Sequence, residues 1–183
     1  FNEEGDYSIT LIVSNGSSYD TITKTDFITV TDCNCYVLPY NVNFVDSTMP
    51  PCWKNLDHIG LGQKWVFDNP ANRPVHTPSY DNGFALLDSY MYGPGNSQNA
   101  DLVTPLLDLT DYTTVNIAFQ HWFYYQTPST GRLFYTNNDG ATWNQLASWA
   151  STTNNPTAYS LDVSSYVAGK SQVRFKWNYT ATY

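Results

Sequence analysis

The residues able to do chemistry are few. Three cysteines (Cys33, Cys35, Cys52) and three histidines (His58, His76, His121) do not fall into a four-ligand zinc spacing. Cys33 and Cys35 are too close to bridge each other without strain, so one of them joins Cys52, and Cys35 with Cys52 is the preferred pairing. No H-E-x-x-H, G-x-S-x-G or glycine-rich phosphate loop occurs, and no local Cys-His signature. His121 lies in an apolar run and reads as a satisfied core histidine; Asp139 lies in a turn, where its own backbone hydrogen bonding favours it. Nothing assembles nucleophile, base and oxyanion donors, so the segment is read as non-catalytic. Six Trp and fifteen Tyr offer a different chemistry, the stacking of flat rings on the apolar faces of sugars. Trp53, Trp65 and Trp177 are expected to pack a core. Tyr80, Tyr90, Tyr92 and Trp149, in loops or loop-flanked runs, are the candidate ligand-binding aromatics.

These residues sit in a chain of 183 with 16 acidic and 8 basic side chains, net charge −8. The acidic balance argues against nucleic acid and anionic membranes as partners. No run of about 18 apolar residues is present to cross a membrane. Tyr7 to Ser14 alternates, with Tyr7, Ile9, Leu11 and Val13 on one face; Asn15-Gly16 turns the chain, and a second β-rich run occupies Tyr19 to Thr31. A lone hairpin is marginal in water, so further strands are expected before Phe1. After a linker over 33–41, short apolar runs recur between Gly, Pro, Asn and Asp clusters: 65–67, 84–87, 101–104, 115–125, 132–136, 143–147, 159–163 and 173–179. Val115–Tyr125 and Val173–Tyr179 read as central strands of a two-sheet sandwich. Asn137 to Gly140 reads as a tight turn. No long helix is predicted, and the fold class is all-β.

G5-D-Y-S-I-T-L-I-V-S-N-G followed by T23-K-T-D-F-I-T-V30 resembles the C-terminal half of a PKD domain, an immunoglobulin-like β-sandwich, over residues 1–32. The succession F44…M49-P-P-C-W53, N55-L-D-H-I-G-L-G-Q-K-W65, G83-F-A-L, A100-D-L-V-T-P105, S129-T-G-R-L-F-Y-T136 and N138-D-G-A-T-W143 resembles MAM-like jelly-roll domains over 42–183. It is especially similar to the cleaved-adhesin, or choice-of-anchor, modules of secreted Bacteroidetes proteins.

The resemblance implies a secreted or cell-surface location, with type IX secretion as the route. It implies a non-catalytic adhesion or recognition module of a larger bacterial protein, working with an extracellular protein or glycan ligand and with neighbouring domains of the same polypeptide. The alternatives are an accessory region of a secreted metallopeptidase and a carbohydrate-binding module. It also implies a structural calcium ion near the start of the second module, where Asp46, Asp57 and Asp81 are the candidate ligands. The sequence departs from the family's Phe-Glu start, with Val45 after Phe44, and from its Asp-rich turn, with Ile59 and Leu61 beside Asp57. The family's last strand would follow Tyr183, so unpaired backbone is expected beside Val173–Tyr183. D20-T-I and D46-S-T resemble the O-glycosylation acceptor pattern of Bacteroidetes at Thr21 and Ser47, and modification of Ser47 would compete with calcium at Asp46.

Overall fold

The structure is a computed structural model that describes residues 5–30, 33–34, 36–75, 83–126 and 128–182. The chain divides into two compact units, Phe1–Asn34 and Cys35–Tyr183.

The first unit is a hairpin of β1 (Gly5–Ser14) and β2 (Tyr19–Val30), paired antiparallel. Asn15 makes the turn as its sequence predicts, its side-chain oxygen accepting the N–H groups of Ser17 and Ser18 at 3.0 and 2.9 Å. The register slips between Tyr7 and Ile9, where the Asp26 N–H donates to the Ser8 hydroxyl. Leu11, Ile12, Val13 and Ile22 are each about 60% exposed, so both faces of the hairpin present apolar surface.

The second unit holds β3 (Lys54–Asp57), β4 (Gln98–Val103), β5 (Asn116–His121), β6 (Ser129–Thr136), β7 (Asn144–Trp149), β8 (Thr157–Asp162) and β9 (Arg174–Ala181), with one-turn helices α1 (Ser89–Tyr92) and α2 (Ser164–Val167). Five strands form one antiparallel sheet in the order β3-β4-β9-β6-β7, and β5 pairs with β8 in a second layer. The two layers meet through side chains: Phe119 of β5 sits edge-on to Trp177 of β9, with ring centroids 5.2 Å apart. The unit is an all-β sandwich.

Alternation places Ala100, Leu102, Leu133, Phe175 and Tyr179 on the inner face, all buried. Leu107, Leu109, Val115, Val163, Val167 and Val173 fill the core at one end. Trp53, Phe67 and Leu102 fill it at the other, where Trp53 stacks on Trp177 at 6.0 Å. Each fully buried aliphatic or aromatic side chain contributes about 1.5–3 kcal/mol. Trp53, Trp65 and Trp177 thus pack the core as read from the sequence.

Two expectations change. The last strand has no unpaired flank: β9 lies between β4 and β6 and bonds to both. Val115–Tyr125 is not a central strand among the described residues, because only Asn116–His121 is in a strand and β8 is its one partner there. Its alternation buries one face alone, with Asn116, Ala118 and Gln120 exposed. The runs 65–67 and 84–87 meet only at a single bridge, Val66 to Leu86.

Candidate functional site

A cleft of about 980 Å³ opens in the second unit between β5 and the segments around Phe44 and 83–90. Gly83 sets the far wall. At φ +86° its missing side chain leaves room for the Phe44 carbonyl, which would stand 1.8 Å from a Cβ. The near wall is β5 and its continuation; every residue from Val115 to Tyr124 lines the cleft in unbroken succession.

Aromatic rings dominate the walls. His121 packs 4.6 Å from Trp149, and Phe119 and Tyr159 complete the cluster, with Phe119 5.1 Å from Tyr159 and Trp149 5.5 Å from it. The His121 imidazole is half-buried, and burial pushes its pKa below the ordinary value, so the ring is neutral at pH 7. Its Nε2 is buried without a hydrogen-bond partner, which corrects the expectation of a satisfied core histidine. Apolar ring contact, not polar pairing, holds it.

At the rim Arg73 reaches Asp88 with two hydrogen bonds, Nε to Oδ2 and Nη2 to Oδ1, the latter 3.0 Å. Asp88 also caps α1 by accepting the Tyr90 N–H at 3.1 Å. The guanidinium lies 4.9 Å from the centroid of the Tyr90 ring, which is 61% exposed. Pro74 accepts a hydrogen bond from the Asn155 side chain at 2.8 Å, strapping 73–75 to the end of β8. Arg73 and Asp88 pair with each other at the rim, while Arg132, also in the lining, bonds to the neutral Asn178 and Thr180 side chains.

Of the candidate aromatics, Tyr90 and Trp149 line this cleft. Trp149 stands on β7 within the ring cluster rather than in a loop. The Tyr92 hydroxyl donates to the Lys64 carbonyl at 3.1 Å. Tyr80 lies outside the described residues. Arg73, Asp88 and His121 also line the cleft, and sequence reasoning assigned none of them to a site. Asp88 followed by a short Tyr-rich run is a capping signal, but nothing local ties it to Arg73.

Asp57 does local work. Its carboxylate accepts the N–H groups of Ile59, Gly62 and Gln63 at 2.8, 2.7 and 3.2 Å, and the first of these bonds leads in holding its pKa below the usual value. Three of its lone-pair sites are thus taken by N–H donors of its own loop. Asp46 is exposed in a turn, and Asp81 lies outside the described residues. Among the described residues no three His, Cys, Asp or Glu side chains converge. Next to this loop, buried Asp101 accepts hydrogen bonds from His58, Lys176 and Asn178 at 2.8, 2.7 and 2.7 Å, a closed polar cluster on the outer face of the five-stranded sheet.

Ser47 and Thr21 are both exposed. Cys33 and Cys52 are each in a disulfide. Cys35 lies outside the described residues. Among the described residues no helix is long and apolar enough to cross a membrane.

No protein-family model matches the sequence, and no curated protein matches it. Among solved structures, the chain is similar to the K1 cleaved adhesin domain of Lys-gingipain from Porphyromonas gingivalis W83, with a TM-score of 0.53 at 17% identity over 78% of this chain and 96% of that one. That likeness concerns the fold.

Proposed function

We propose that this chain is a non-catalytic adhesion or recognition segment of a larger secreted or cell-surface protein, and that the cleft beside β5 is where it meets its ligand. The observation that carries the reading is the cleft itself: a deep, ring-lined opening whose rim charges, Arg73 and Asp88, neutralise each other. The fold likeness to a cleaved adhesin domain supports it. In the same reading the hairpin of β1 and β2 is part of a PKD-type module, which accounts for its apolar exposure. Carbohydrate binding is the second reading, favoured by the grouping of Phe119, His121, Trp149 and Tyr159.

The test is adhesion. Beads coated with residues 1–183 are washed over surfaces bearing purified extracellular-matrix proteins or neutral glycans, beside beads carrying an unrelated β-sandwich of equal charge. Retention on at least one surface, independent of salt between 0.1 and 0.5 M as a neutral contact requires, is expected on grounds of screening within roughly 10 Å. Equal behaviour of both bead types on every surface contradicts the reading.

A further inference from the structure

The outer face of the five-stranded sheet carries a guanidinium that the fold leaves uncompensated. Lys and Arg number 8 in the chain, and Lys24, Lys54, Lys64 and Lys170 are exposed. The others are at least partly buried, and three of them hold a carboxylate: Arg73 with Asp88, Arg174 with Asp139, and Lys176 with Asp101. Arg132 is the exception. Its side-chain bonds among the described residues run to neutral oxygens, from Nη1 to Asn178 Oδ1 at 3.2 Å and to Thr180 Oγ1 at 2.9 Å. Acids are not scarce in a chain with 16 of them, yet none of the described ones is placed against this half-buried charge.

Strand alternation positions the side chain. Its neighbours on β6 face the core: Leu133 is fully buried, and a Cβ on Gly131 would stand 3.2 Å from the Phe123 ring. Arg132 therefore meets the cleft through its backbone and turns its side chain to the opposite face, beside its register partners Asn178 on β9 and Ser148 on β7. Asn178 is itself fixed, its amide nitrogen donating to Asn99 and Asp101 at 3.0 and 2.7 Å. Both N–H groups of Nη1 are thus spent on anchoring. The Nε and Nη2 N–H groups have no acceptor among the described residues. They lie along one edge of the planar guanidinium, the fork that matches the two oxygens of a carboxylate.

We infer that this face is a second binding site, which takes a sugar residue bearing one carboxylate, a uronic or a sialic acid. It is separate from the cleft and does not depend on the reading of the cleft as a recognition site. Charge complementarity sets the class. One uncompensated cation in a chain of net charge −8 matches a ligand with a single negative charge, whereas a polyanion meets repulsion from the rest of the surface. The groups beside the fork, Thr130, Ser148 and Thr180, are hydroxyls that both donate and accept, the chemistry a sugar ring presents in return. Because Asn178 and Thr180 hold the guanidinium before a ligand arrives, little side-chain ordering accompanies binding.

The experiment titrates the full isotope-labelled chain with methyl β-D-glucuronide and, separately, with the methyl α-glycoside of N-acetylneuraminic acid. Each is taken to about 20 mM, the scale at which one charge-assisted pair registers. The controls are methyl β-D-glucoside, which is neutral, propionate, which is a carboxylate without a sugar, and a capped tetraglutamate peptide. The Arg132 Nε–H resonance of the wild-type chain is expected to move with at least one acid sugar, and the one that moves it tells uronic from sialic recognition. The three controls leave it in place, and the amides of Asn116–His121 stay unmoved throughout. Arg132→Gln weakens the binding about 10-fold or more, and Arg132→Lys, which keeps the charge and loses the fork, does the same. Ser148→Ala, at an exposed position, weakens it about 3-fold without risk to the fold. Raising salt from about 0.1 to about 0.5 M weakens it as well, unlike the contact expected of the cleft. No movement of the Arg132 resonance with either acid sugar overturns the inference, and so does an equal response to propionate or to tetraglutamate. Undiminished affinity in Arg132→Gln, folded by its NMR spectrum, overturns it too; if that variant does not fold, the wild-type resonance and Ser148→Ala decide. Beads carrying Arg132→Gln are expected to adhere as wild type does in the assay of the cleft, so failure of this site and failure of that reading are separate results.

Discussion

At the scale of single residues, the site is governed by what is satisfied and what is not. Asp101 is buried yet saturated by His58, Lys176 and Asn178, so its charge is structural. His121 is the opposite case, neutral and held by ring contacts with an unpartnered Nε2. Its lowered pKa makes a signed prediction. The unfolded chain takes up a proton near the ordinary value of 6.5, whereas the folded chain resists protonation until lower pH. More protons are then bound by the unfolded state, so stability declines as pH falls through about 6.5 and levels off below the folded-state value. Chemical denaturation between pH 8 and 5 should show this decline, and His121→Phe, which keeps the ring, should remove it. An unaltered pH profile in the variant would mean the decline arises elsewhere.

At the scale of elements, one close approach shapes the cleft. The Phe44 backbone occupies the space of a Cβ at Gly83, and Gly83 itself has a left-handed backbone. Gly83→Ala must move one wall or the other and is expected to lower stability by about 2–4 kcal/mol. Ser89→Ala, in the same segment but without that contact, should cost far less in the same denaturant titration. The elements also show what could be read from the sequence. Alternation found β6 and β8, which bury alternate residues, whereas β4 and β9 are buried on both faces and were legible from their apolar content. β3 was missed: K-N-L-D has no alternating apolar pattern and is a strand through its pairing with β4. The runs 65–67 and 84–87 look like strands because they are apolar, yet they pack as wall segments with one shared bridge. The central position of β9 and the open edge of β5 are properties of sheet order, which local pattern does not contain. For the same reason Tyr90 and Trp149 were legible as candidate aromatics, whereas Arg73 with Asp88, and His121 beside Trp149, became a site only when distant segments met.

At the scale of the whole molecule, the chain divides into two compact units. Among the described residues the second is a sandwich whose larger layer has five strands and whose smaller layer has two, and the cleft opens beside the smaller layer. The core beneath continues to Trp53 and Trp177, and both rings line the opening. On the proposed reading such a sandwich holds its ligand between its layers. The most direct test maps where the chain is contacted. With a surface-derived ligand from the bead assay titrated into isotope-labelled chain, the account predicts chemical-shift changes concentrated in the amides of 116–121, the Trp149 indole and the Tyr90 ring, with the His58 to Lys64 loop unmoved. Changes centred on that loop, or on the hairpin of β1 and β2, with the β5 amides and Trp149 unaffected, would contradict it.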